Sequence, residues 1–296
     1  MLRWAISLAV LAALLVWLEP ADVVAEIAGL EPLWLVGALA ISVVQMLLSA
    51  WRWRFTAERL GLRLPWPRAI GDYYLAGFVN QVLPGGVLGD ALRAHRHARD
   101  SDAAGPAWRA VIIERASGQA VVVLGTLAVL ALVPAWRDAL AGLAAGSGAA
   151  WLAPALFALI AGAAVVAAAR RWPTQWRRLH DDIQRSLLAP GAWPRQLAAS
   201  LAIVSSYVFI FALAGLGIGS QAGFWLLLAV ALPILLAMLI PLSVAGWGFR
   251  EAAAAAVWLA LGLPPEQGAA VALAYGGVVL VASLPGALVL LHRPGR

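Results

Sequence analysis

Apolar runs about twenty residues long, separated by joints that carry arginine, set the limits on what this chain can fold into. A run of that length makes a helix of about 30 Å, the thickness of bilayer hydrocarbon, where only helices and closed barrels satisfy their own backbone. Such runs cover residues 2–18, 33–50, 111–133, 151–169, 197–217, 224–240 and 269–291. With 63% of residues apolar and 12% charged, too little charge exists to cover a water-facing surface. The expectation is an all-α, polytopic transmembrane helix bundle, built as a single integral membrane domain over residues 1–296.

The charges orient that bundle. Arg3 precedes the first run and Glu19, Asp22, Glu26 and Glu31 follow it; Arg52, Arg54, Arg59, Arg63 and Arg68 follow the second, and the joint 170–195 holds six arginines. The joint 134–150 carries Arg137 beside Asp138, and those near Ser220 and Pro264 carry no basic residue. Basic loops stay on the cytoplasmic side, so both termini, the 52–68 loop and the 170–195 loop are expected there, in an inner membrane. A cleaved signal peptide is the other reading of residues 2–18. Trp51 and Trp53 are expected at the interface, and Asp181 with Asp182 reads as a solvated charge pair. The net charge of +6 follows from these loops and does not call for nucleic acid.

Catalytic signals are thin. The chain has no cysteine, and all 21 basic side chains are arginine, which removes thiolate and lysine chemistry. His95 and His97 are two apart and point away from each other on a helix, so no metal is expected. No Ser/His/Asp arrangement, phosphate loop or dinucleotide glycine fingerprint stands in a supporting context, and no cofactor or catalytic residue is assigned.

Two stretches break the pattern. Asn80, Pro84, Gly85, Gly86 and Gly89 interrupt the first, and Pro241, Gly246 and Gly248 interrupt the second. Both read as broken or re-entrant hairpins, tolerated at membrane depth only when packed in protein or lining a wet cavity. Laid without a gap, residues 83–93 over 240–250 align Pro84 with Pro241, Val87 with Val244, Gly89 with Gly246 and Arg93 with Arg250. That suggests an inverted repeat with halves 1–135 and 150–292, the arrangement of transporters with a midplane site; chance similarity is the competing account. Asp90, Arg93, Glu114, Arg115, Arg250 and Glu251 stand at or near these breaks. Arginine's planar fork matches phosphate, so an anionic head group is the expected ligand, with Arg93 and Arg250 sharing it. The alternative makes Arg93 a loop charge beside the dispensable Arg96 and Arg99, and pairs Arg250 with Glu251 or Glu114.

Asn80, Leu83, Pro84 and Gly85, then Gly89, Asp90 and Arg93, then Glu114-Arg115, and finally Pro241, Ser243, Gly246, Gly248, Arg250 and Glu251 form a pattern that spans most of the chain. It resembles the flippase-like integral membrane family that shares the transmembrane region of lysylphosphatidylglycerol synthases. Leu88 departs from the pattern, which often has a second glycine before the aspartate. The resemblance implies a prokaryotic inner-membrane protein that handles aminoacylated phospholipids, hopanoids or lipid-linked sugars, with a lipid-modifying or glycosyltransferase enzyme as the expected kind of partner. The aminoacyl-transferring members carry a large soluble domain after the membrane portion, so synthase activity is not expected of this chain. Two functions follow: a lipid transporter binding through Asn80, Asp90, Arg93, Glu114, Arg115, Arg250 and Glu251, or a membrane enzyme or accessory subunit of lipid-linked glycan or aminoacyl-lipid synthesis with Asp90, Glu114 or Glu251 as acid or base.

Overall fold

The computed structural model describes residues 20–83, 86–101, 103–134, 136, 163, 166–239 and 245–291. The expected first run at 2–18, most of the run at 151–169, the break residues Pro84, Gly85, Pro241 and Ser243, and the terminal Arg293 and Arg296 lie outside them. Among the described residues the elements are eleven helices: α1 (Pro20–Ala28), α2 (Pro32–Arg59), α3 (Trp66–Val82), α4 (Leu88–Ser101), α5 (Ala104–Leu132), α6 (Pro173–Ile183), α7 (Trp193–Gly217), α8 (Phe224–Leu236), α9 (Phe249–Ala260), α10 (Pro265–Ser283) and α11 (Pro285–Leu291). Proline opens α2, α6 and α10 at the first helical position, where its missing N–H costs nothing, and Gly61 and Gly262, both at positive φ, follow the ends of α2 and α9.

Four helical stretches are long and apolar enough to cross a membrane: Pro32–Arg59, Ala104–Leu132, Trp193–Gly217 and Pro265–Leu290. The apolar run at 224–240 is, over its described residues, the 13-residue α8 with a tight turn at Ala237–Leu239. At 1.5 Å per residue α8 reaches only about 20 Å, short of the hydrocarbon thickness. Pro233 inside it removes one backbone donor near the end where the helix tightens.

The helices fill two joined cores. Alanines at 50, 57, 69, 94, 98, 107 and 110 let α2, α3, α4 and α5 approach closely around Trp53, while α7, α8, α9 and α10 enclose Phe211, Leu227, Ile234, Trp258 and Tyr275. The long helices α2 and α7 lie against each other, and α5 and α10 each touch both. α3 packs on α10 and α8 on α5; α4 packs on α5 and α9 on α10. The starts of α7, α9 and α10, at 193, 249 and 265, follow those of α2, α4 and α5, at 32, 88 and 104, at one constant separation.

The two ends of the bundle differ in sign. At one, Arg59 donates to the Arg185 carbonyl at 3.0 Å, Arg109 pairs with Asp182 at 2.5 Å, and Arg68 pairs with Asp72 and Asp100. The beginnings of α3, α5 and α7 and the ends of α2 and α4 all meet there. At the other, the Glu31 N–H donates to the Gly217 carbonyl at 2.8 Å, and Gln267 Oε1 accepts from Ser220 Oγ and the Gln221 N–H. A cavity of ≈ 490 Å³ at this end is lined by Asp22, Glu26 and Glu266 with Ile218 and Pro264.

Candidate functional site

The first break positions a buried ionic cluster. Asn80, near the end of α3, accepts the Gly89 N–H at 2.8 Å and donates to Asp90 Oδ2 at 3.1 Å, tying the start of α4 back onto α3. Gly89 is required at this crossing, because a Cβ there would collide with the Ala76 carbonyl oxygen. Asp90, in the first turn of α4, accepts from Arg93 Nε at 2.9 Å and from Arg115 Nε at 2.7 Å, with a second Arg115 contact through Nη2. A carboxylate in the first turn also answers the unsatisfied N–H groups of a helix start.

Glu114 is the centre of the cluster. Its Oε2 accepts from Arg93 Nη2 at 2.5 Å and its Oε1 pairs with Arg52 Nη2, while Tyr73 donates to Oε1 at 3.4 Å. Arg52 Nη1 also donates to Ser200 Oγ on α7 at 2.8 Å. Arg93 stands 4.8 Å from the ring centres of both Trp53 and Tyr73, a cation between two π faces. Three guanidinium groups therefore share two carboxylates, and Arg93 Nη1 and Arg52 Nε find no acceptor among the described residues. Arg115 is the accessible member: its side chain is 41% exposed, whereas Glu114 is fully buried.

The second break builds a smaller counterpart. Glu251, in the first turn of α9, accepts the Gly248 N–H at 2.6 Å and pairs with Arg250, whose Nε lies 3.1 Å from Oε1. Gly248 holds φ at 89° and so turns the chain into α9. Arg250 stands 4.8 Å from the Trp247 ring and 5.4 Å from Tyr275, fully buried, with Nη1 lacking an acceptor among the described residues. Gly276 leaves room for it, since a Cβ there would meet Arg250 Nη2.

Arg93 and Arg250, expected to share a ligand, lie in these separate clusters and have no partner in common among the described residues. What runs between the clusters is aromatic: Tyr275 packs on Phe211 of α7 at 5.8 Å and lies within electrostatic reach of Tyr207, itself within electrostatic reach of Arg115, Arg52 and Glu114. Gln45 joins this path by donating to Tyr207 Oη at 3.1 Å.

Several sequence expectations need correction. Arg52, read as a loop charge, is a buried partner of Glu114, and Trp53, expected at the interface, is fully buried because it backs the Arg93 guanidinium. Arg96 is not a free loop charge: it pairs at 2.8 Å with the buried Asp72. Arg99 is exposed, as expected. Asp182 is not solvated, because Arg109 holds it at the arginine-rich end; its neighbour Asp181 is exposed. Of the two histidines, His95 is exposed and His97 is buried edge-on to Trp53, its Nε2 3.3 Å from the Arg63 carbonyl. Burial holds the His97 imidazole below its usual range, against the pull of that hydrogen bond.

A family model described as the lysylphosphatidylglycerol synthase TM region matches residues 4–286. No curated protein and no solved structure matches the chain.

Proposed function

Because the chain belongs to the lysylphosphatidylglycerol synthase transmembrane-region family, we propose that it is a flippase-like transporter that binds the phosphate of an anionic lipid head group beside Arg115 and Arg93. One observation carries the reading: three guanidinium groups share two carboxylates in a buried site with unmatched donors. Charge in a membrane interior is costly unless it serves a partner or a path, and the missing negative charge is the size of one phosphodiester. Phosphate would enter at the exposed Arg115 and compete with Asp90 for it.

In this reading α3 with α4, and α8 with α9, are re-entrant hairpins from opposite faces, and the chain is an inverted repeat. The equal spacing of helix starts and the matched neighbours of α3 and α8 support it. The same spacing makes Asp90 the equivalent of Glu251, each the third residue of its helix, so that Arg93 and Arg250 stand one turn out of register. The arginine-rich end faces the cytoplasm. The test is reconstitution of the purified protein in vesicles holding head-group-labelled phospholipid, scoring sidedness and chemical identity. The expected result is a change of leaflet with the lipid unaltered, lost in Arg115→Gln; a chemically altered lipid would favour the enzyme reading instead.

A further inference from the structure

We propose that α6 and its flanking turns form an anionic-lipid platform lying in the head-group layer of the membrane that holds this protein. Trp172 and Trp176 are 55% and 41% exposed, and with Leu179 and Ile183 they fall on one stripe of the helix, four, seven and eleven residues along. Leu179 and Ile183 are half-buried, so the stripe runs from the protein outward to two protruding indoles. Trp193, at the start of α7, is 51% exposed. Arg170, Arg171, Arg177 and Arg178 are all exposed, and among the described residues of α6 the one exposed carboxylate is Asp181, 3.7 Å from His180.

One flank of α6 is tied down. Asp182 takes the Arg109 Nε–H from α5, and within the turn at Gln184–Leu188 that follows α6 the Ser186 carbonyl accepts from Gln196 of α7, which also donates to Thr56 of α2. α5 thus holds α6 directly, and α2 and α7 hold the turn that follows it, at the arginine-rich end. Water alone does not explain exposed tryptophans, and an acidic protein or nucleic acid would use the arginines but leave the indoles without an apolar layer. Head groups supply both: anionic phosphate for guanidinium and the acyl boundary for indole. This goes beyond the transport reading and does not depend on it.

The chain has no cysteine, so single cysteines can carry spin labels in the full-length protein. His180→Cys lies beside the tryptophan stripe and Thr174→Cys on the opposite face. The protein is reconstituted in phosphatidylcholine vesicles with and without phosphatidylglycerol. Expected is a rise of at least about twofold in the ratio of oxygen to aqueous nickel-chelate accessibility at residue 180 when phosphatidylglycerol is present, with residue 174 remaining aqueous. Salt at about 0.5 M should erase that rise, as should the combined change R170Q/R171Q/R177Q/R178Q. Equal immersion of residue 180 in both lipids, or aqueous exposure in both, would overturn the proposal; neither result bears on whether lipid is transported.

Discussion

Glu114 and Arg115 are adjacent in the chain and opposite in exposure, which separates what each should do when changed. Glu114→Gln leaves Arg52 and Arg93 buried around a neutral amide, a broken buried pair that costs about 3–5 kcal/mol, so thermal unfolding in detergent should fall steeply. Arg115→Gln removes a half-exposed charge; its unfolding should stay near that of the wild type while phospholipid transport is lost. His97 adds a pH signature. Its folded pKa lies below the usual value of about 6.5, so the unfolded chain takes up the proton more readily. Stability from this residue is complete above about pH 6.5 and declines as pH falls below it. His97→Gln, measured by unfolding between pH 5 and 8, should flatten that decline. Most carboxylates of the candidate site could be picked out beforehand, because charge in an apolar run is conspicuous. Arg52 could not, since an arginine closing a run looks the same whether it meets head groups or turns inward to Glu114. Tyr73, Asp72, Ser200 and Tyr207 carried no signal at all: their roles depend on which helices become neighbours.

At the scale of elements, the close crossings are made where glycine removes a side chain. Gly89 against Ala76 and Gly286 against Tyr74 bring α4 and α11 onto the backbone of α3. Gly89→Ala and Gly286→Ala should each lower the unfolding midpoint clearly, by about 1–3 kcal/mol of overpacking. Gly277→Ala, in the open part of α10, should be neutral or raise it by up to about 1 kcal/mol. The long helices were legible as apolar runs with boundaries up to nine residues off, because the charged turns at their ends remain helical. The length of α8 was not legible, because a run of seventeen residues, all but Pro233 apolar, has the same composition whether it crosses a membrane or stops short and turns. Only packing against α5 and α9 distinguishes the two.

Across the whole molecule, side-specific chemistry should follow the separation of charge. Single cysteines at Ser220 and Arg63, near opposite ends, should react with membrane-impermeant reagent from opposite sides of the cell membrane; reaction from the same side would refute the proposed orientation. The arginine-rich end and the end lined by Asp22, Glu26 and Glu266 make the protein an electrical object as well as a mechanical one. Across a membrane energised at 100 mV, carrying one elementary charge from face to face takes about 2.3 kcal/mol of work. Turning the molecule over would exchange arginines for carboxylates at each surface and so be charged that work several times. A membrane potential should therefore bias insertion, and vesicles formed under an imposed potential should sort their protein by orientation where vesicles formed without one would not.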